Sequence, residues 1–223
     1  MKVAIVLGTR PEIIKLAPII RKIGNKNCSV IFTGQHYDNQ MGLGFIRELG
    51  LQKPNYSLNI TKSNSQLQIS EIIAKLSKIL LNEKPDTVII QGDTNTVLAA
   101  GICSLKLNIP ISHVESGLRS NDWRMPEEHN RIVVDHISEL LFAPTQNTNF
   151  NLKSEKVHGK IFVTGNTVID AINIYSKISK KKSKLSIPSS EFILTTLHRA
   201  ENVDDRKTLS YILKGLINSN EKI

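Results

Sequence analysis

The sequence predicts an α/β protein, a doubly wound parallel sheet of the Rossmann-like kind with the start of a second such domain. Three observations carry this. Short apolar runs alternate with longer amphipathic segments along most of the chain. The runs are apolar throughout rather than at every second residue, as expected for strands covered on both faces. Polar clusters follow run after run (GTRPE, TGQHYD, QGDTNT, HVESGLRS), where ligands gather at the carboxyl ends of such strands.

KVAIVL (2–7) is the first buried strand. PEIIKLAPIIRKI follows with helical periodicity; Pro11 suits a first turn and Pro18 should kink the helix. SVIFTG (29–34) is the second strand, and residues 38–49 form a helix that stops before Gly50. LQISEIIAKLSKILL (67–81) gathers Ile69, Ile72, Ile73, Leu76, Ile79 and Leu80 on one side of a helix. DTVIIQGD (86–93) reads as a strand, TVLAAGICSLKL (96–107) as a helix and PISHVE (110–115) as a strand. EEHNRIVVDHIS (127–138) is a helix, ELLFAP (139–144) and KIFVTGN (160–166) are strands, and TVIDAINIYSKIS (167–179) is a helix.

This divides the chain into an N-terminal Rossmann-like domain (1–179), a lysine-rich linker (180–190) and residues 191–223. There FILTTLHR (192–199) restarts the pattern as a strand, with a helix near 205–217. So few residues cannot bury the first strand of a second α/β domain. The expectation is a chain cut short inside that domain, or a segment packed onto the first.

Hydrophobic content of 40% is ordinary for a globular protein, and no apolar run approaches the roughly 18 residues of a bilayer span. VAIVL passes straight into GTRPE, unlike a signal peptide. Cys28 and Cys103 lack CxxC spacing and read as buried thiols of a reducing cytosol. The net charge of +9 is concentrated: residues 153–184 hold eight lysines and two acids. Only Tyr175 stands as an aromatic between Phe162 and Phe192, and no arginine does, so nucleic acid is not expected as a partner.

In GTRPEIIK, Gly8 allows a tight turn, and a helix start with Arg10 and Lys15 can receive an anion. The segment lacks GxGxxG, and no acid ends the second strand to hold a ribose, so a tightly held dinucleotide is not expected. Asp93 ends an apolar strand, where it could equally cap the helix at 96. Glu115 ends the next strand with no capping task, because Gly117 breaks the chain just beyond. HVE shares HxE with zinc deaminases, but no PCxxC follows, so no metal is expected. Glu127 and Glu128 open a helix at Pro126; one satisfies the helix dipole and the second makes a carboxylate cluster. His198 and Arg199 close FILTTLHR at the entrance to the second domain.

Taken in order, GTRPEIIKLAP, TGQHYD, QGDTNTVLA, HVESGLRS, MPEEHNR, TGNTVIDA and LHRAENVD resemble the non-hydrolysing UDP-N-acetylglucosamine 2-epimerases over the whole chain. The resemblance implies a two-Rossmann, glycosyltransferase-like fold, in which residues 191–223 begin a UDP-binding domain. It implies a cytoplasmic homodimer that makes precursors of cell-surface polysaccharide and interconverts UDP-N-acetylglucosamine and UDP-N-acetylmannosamine without a redox cofactor. By motif it makes Arg10 and Lys15 substrate contacts, Asp93, Glu115 and Glu127 catalytic, and His198 the catalytic or diphosphate-side histidine. Asp93, Glu115 and His198 also count as substrate-binding. The chain departs from the family at Ser116, where Ala is usual. It departs again at Asp38, where many bacterial members carry Gln, and near Ser65, where they carry an Arg, both linked to an allosteric second substrate molecule.

The implied reaction is elimination of UDP to a 2-acetamidoglucal, then re-addition with the proton delivered to the other face. It needs carboxylates on two faces of the sugar, cations on the departing diphosphate and a closed cleft. Asp93, Glu115 and Glu127 fit the first need, and Arg10, Lys15 and His198 the second. The alternatives are a hydrolysing relative, an epimerase of a related UDP-2-acetamido sugar, or a nucleotide-sugar binding protein or inactive fragment. The 223 residues alone are expected to be catalytically inactive.

Overall fold

A computed structural model describes residues 1–34, 39–182, 192–197 and 200–219. Its contacts divide the chain into two compact units, Met1–Ser179 and Lys180–Ile223.

In the first unit, β1 (Val3–Leu7) leads into α1 (Arg10–Ile23), which continues through Pro18. Pro11 occupies its first turn, where a missing N–H costs nothing. Next come β2 (Cys28–Phe32), α2 (Asn39–Glu48), the two-residue β3 (Tyr56–Ser57) and α3 (Ser65–Glu83). The chain then repeats β4 (Thr87–Gln91), α4 (Asn95–Lys106), β5 (Ile111–Val114), α5 (Pro126–Ile137), β6 (Leu140–Ala143), α6 (Gln146–Ser154), β7 (Lys160–Val163) and α7 (Thr167–Lys182).

Among the described residues the strands form one seven-stranded sheet in the order β3-β2-β1-β4-β5-β6-β7, parallel at every pairing. The predicted doubly wound sheet is therefore present. Two elements of this unit lay outside the expected set. β3 is too short to carry a pattern, and α6, QNTNFNLKS, is polar with only Phe150 and Leu152 as large apolar residues. Thr145 caps α6 by accepting the Thr148 N–H at 3.2 Å.

The sheet is covered on both faces, which explains the uniformly apolar strands. Ala4, Val6, Val88 and Ile90 face a core completed by Ile72, Leu76 and Leu80 of α3, Val97 and Ala100 of α4 and Val134 of α5. Val3, Ile5, Leu7 and Ile89 face the opposite core, with Ile13, Leu16 and Ile20 of α1, Ile46 of α2 and Tyr175 of α7. Cys28 and Cys103 are free and buried, and burial pushes both thiols up to about 11.

In the second unit, α8 (Ala200–Val203) precedes α9 (Arg206–Asn218), which Asp205 caps by accepting the Thr208 N–H at 2.7 Å. The helix expected near 205–217 is present, but none of its residues is buried. The strand expected in FILTTLHR does not form over the described residues 192–197. A strand exists only with a ladder partner, and among the described residues this unit supplies none. No helix among the described residues is long and apolar enough to cross a membrane.

Candidate active site

β1 and β4 are neighbours in space but are separated in sequence by β2 and β3, so the winding of the sheet reverses between them. Loops leaving their carboxyl ends diverge and leave a crevice. The cleft found there has a volume of about 190 Å³. Thr9, Glu12 and Lys15 line it after β1, Gln91, Asp93 and Thr94 after β4, and Glu115 and Leu118 after β5.

Gly8 has no room for a side chain: a Cβ would strike the hydroxyls of Thr33 and Thr96. Close packing, rather than a positive φ, is what requires glycine in GTRPE. The absence of a Cβ lets α1 start against the sheet and aim Lys15 into the cleft.

Glu12 holds this start in place. One carboxylate oxygen accepts the N–H groups of Gly8 and Thr9, and the other accepts the Thr94 hydroxyl at 2.5 Å. It thereby ties α1 to the loop after β4. Burial raises its pKa, opposed by the Thr94 hydroxyl and the two N–H groups, while the charge of Asp93 raises it further. Nothing in the pattern of GTRPE singled out Glu12, because its partners at 94 lie in another motif.

Glu115 stands at φ +67°, a left-handed conformation that turns the chain directly after β5. Three donors surround its carboxylate. Lys15 Nζ lies 2.5 Å from Oε2, Gln91 Nε2 donates to the same oxygen, and Asn166 Nδ2 donates to Oε1 at 2.9 Å. Glu115 lines the cleft. Gln91 and Asn166 sit inside QGD and TGN, yet their chemistry appears only when three strand ends converge.

Asp93 is not the helix cap. Thr94 takes that task, accepting the Val97 N–H at 3.4 Å. The Asp93 carboxylate pairs instead with the Arg131 guanidinium, whose other arm reaches Glu128 at 3.1 Å. Asn130 Nδ2 donates to the Asp93 carbonyl at 2.8 Å. MPEEHNR thus supplies the residues that orient Asp93.

The two glutamates of that motif part company. Glu128 is 1% exposed and accepts the N–H groups of Ser120 and Asn121 and the Ser120 hydroxyl, all at 3.0–3.1 Å. Burial works to raise it, but these donors and Arg131 outweigh burial and hold it below the usual carboxylate range. Glu127 is exposed in the first turn of α5 and does not line the cleft. Arg10 is likewise exposed and off the lining. His198 and Asp38 lie outside the described residues.

His113, considered above as part of an HxE pair, is fully buried. Its Nε2 donates to the Gly92 carbonyl at 2.8 Å, and its Nδ1 lies 2.7 Å from Asp135. Asp135 also accepts the Gly117 N–H at 3.0 Å and Arg119 at 2.8 Å, and Arg119 forks onto Glu155. Burial raises the Asp135 carboxyl, but His113 and Arg119 prevail and hold it low. This network braces the loops that carry Asp93 and Glu115.

Comparison with known proteins identifies relatives of this chain. The family model for UDP-N-acetylglucosamine 2-epimerase matches residues 20–222. The chain is 47% identical to the UDP-N-acetylglucosamine 2-epimerase of Methanocaldococcus jannaschii, over 97% of this chain and 62% of that protein. It is 37% identical to the UDP-2,3-diacetamido-2,3-dideoxy-D-glucuronate 2-epimerase of Pseudomonas aeruginosa, over 97% of this chain and 62% of that protein. The crystal structure of the M. jannaschii enzyme in complex with UDP-GlcNAc and UDP superposes with a TM-score of 0.87 at 45% identity, covering 98% of this chain and 62% of the other. The chain therefore spans somewhat less than two thirds of the length of these relatives.

Proposed function

Because the chain belongs to the UDP-N-acetylglucosamine 2-epimerase family, we propose that it serves the interconversion of UDP-N-acetylglucosamine and UDP-N-acetylmannosamine by elimination and re-addition of UDP. The observation that carries this reading is the convergence of Lys15, Asp93 and Glu115 on one cleft at the reversal point of the sheet.

The C2 hydrogen of the sugar has little acidity. Breaking the C1–O bond to UDP gives C1 oxocarbenium character and makes that proton removable. Asp93 and Glu115 stand at the ends of adjacent strands and supply carboxylates for proton removal and return. Lys15 supplies positive charge for the departing diphosphate. In this reading Arg10, Glu127 and His198 are further substrate contacts, a role that rests on the family resemblance of their motifs. Asp93 is presented by Arg131, and Glu115 by Gln91 and Asn166, so each carboxylate is oriented before substrate arrives.

A cytoplasmic homodimer that feeds cell-surface polysaccharide synthesis is the setting we propose. The family resemblance supports it, and the two free buried thiols suit a reducing compartment. An epimerase of a diacetamido uronate is the second reading, supported by the similarity to the P. aeruginosa enzyme.

The test is incubation of the protein expressed from its complete gene with UDP-N-acetylglucosamine in heavy water. Epimerisation should place deuterium at C2 in both UDP sugars. Conversion without deuterium would exclude this proton-transfer scheme, and release of free N-acetylmannosamine would identify a hydrolysing enzyme.

A further inference from the structure

Gln91 ends β4 and is 2% exposed, yet its two polar atoms are served unequally. Nε2 donates to Glu115. Oε1 is buried and has no hydrogen-bond partner among the described residues. Turning the amide over offers no remedy, because it would set the carbonyl oxygen against a carboxylate oxygen. Buried acceptors are rarely left unpaired, and Gln91 lines the cleft. An unpaired, buried acceptor in the wall of a cleft indicates a ligand that brings a hydrogen-bond donor of its own.

We infer that the Gln91 carbonyl accepts the N–H of the sugar's 2-acetamido group, so that Gln91 selects 2-acetamido sugars. This rests on the epimerase reading above. Oε1 and Nε2 branch from one carbon, so a donor held by Oε1 lies beside the Glu115 carboxylate. In the proposed reaction the carbon that must lie beside a carboxylate is C2. C1 carries the phosphate oxygen and the ring oxygen, neither of which is a donor. The donor on the atom bonded to C2 is the acetamido N–H. It has one proton and no freely turning hydroxyl rotor, so it needs an acceptor at a fixed place. Gln91 provides one, and its own orientation is set by Glu115. A single amide thereby reads the substituent on C2 and aligns the carboxylate next to it.

The test compares UDP-N-acetylglucosamine with UDP-2-O-acetylglucose, in which an ester oxygen replaces the N–H at nearly constant shape. Affinities are measured by calorimetry on the protein from its complete gene, as wild type, Gln91→Met and Gln91→Glu. Wild type should bind the ester roughly ten- to hundredfold more weakly, the scale of a buried acceptor left unpaired. Gln91→Met should bind the two ligands about equally. Gln91→Glu retains an acceptor oxygen and should keep the discrimination while binding both less well. Equal binding of the two ligands by wild type overturns the inference even if the variants do not fold. Undiminished discrimination by Gln91→Met overturns it as well. Wild-type epimerisation of UDP-N-acetylglucosamine, followed in parallel, separates the outcomes: its absence defeats the epimerase reading, whereas its presence beside either result above defeats only the role of Gln91.

Discussion

Lys15 Nζ lies 2.5 Å from Glu115 Oε2, joining α1 to the end of β5 across a hundred residues of chain. The pair is mostly shielded, with side-chain exposures of 24% and 9%. A diphosphate entering the cleft must compete with Glu115 for this ammonium. Lys15→Met is therefore expected to weaken UDP binding and to lower turnover by roughly 100-fold, the scale of losing one stabiliser of developing charge. Calorimetry and steady-state rates measure the two effects. Turnover close to wild type would leave Lys15 as a structural partner of Glu115 alone.

Asp93→Asn and Glu115→Gln keep shape and remove charge. Each should reduce turnover by at least roughly 100-fold, as expected for a lost general acid or base. Both variants should retain UDP affinity within about tenfold if they act on the sugar rather than on the diphosphate. A rate near wild type for either variant removes that residue from the chemistry.

Glu127 and Glu128 should separate cleanly. Glu127→Gln, at an exposed position, should leave stability within about 0.5 kcal/mol while lowering turnover by roughly 100-fold or more. Glu128→Gln should do the reverse to stability, costing about 1–3 kcal/mol because the donors on Ser120 and Asn121 lose a charged acceptor. Urea denaturation alongside the rate assay distinguishes them. Unchanged turnover in Glu127→Gln means that Glu127 serves only the helix dipole.

Asp135→Asn removes the charge that His113 and Arg119 share. Breaking such a buried pair costs roughly 3–5 kcal/mol. The loss should appear as a lower denaturation midpoint. A variant as stable as wild type would show that the network does not brace the loops after β4 and β5.

Acid should destabilise the fold through the same groups. Asp135 and Glu128 have lowered pKa values in the folded protein. Their stabilisation is full above the unfolded carboxylate values near 4 and is lost as pH falls through the lower folded values. Unfolding free energy should fall more steeply below about pH 4 in wild type than in Glu128→Gln. Parallel curves would exclude Glu128 from the acid response.

The sequence by itself determined the sheet, because burial on both faces forces each strand to be apolar along its whole length. β1, β2, β4, β5 and β6 were legible for that reason, whereas the edge strand β7 was legible from its apolar run although it is mostly exposed. It also determined that Asp93, Glu115 and Lys15 belong to strand-end motifs, since polar groups directly after such strands have only the crevice to occupy. The tertiary structure decided the partners. Glu12 with Thr94, Arg131 with Asp93, Asn166 with Glu115 and Asp135 with His113 are pairs 22 to 82 residues apart. A hydrogen bond acts over about 3 Å and leaves no period in the chain. Only the parallel winding, which carries each strand end to the same edge of the sheet, brings these groups within reach of one another. The same logic explains FILTTLHR: its composition suits a strand, but a strand also needs a neighbour, and composition alone does not supply one.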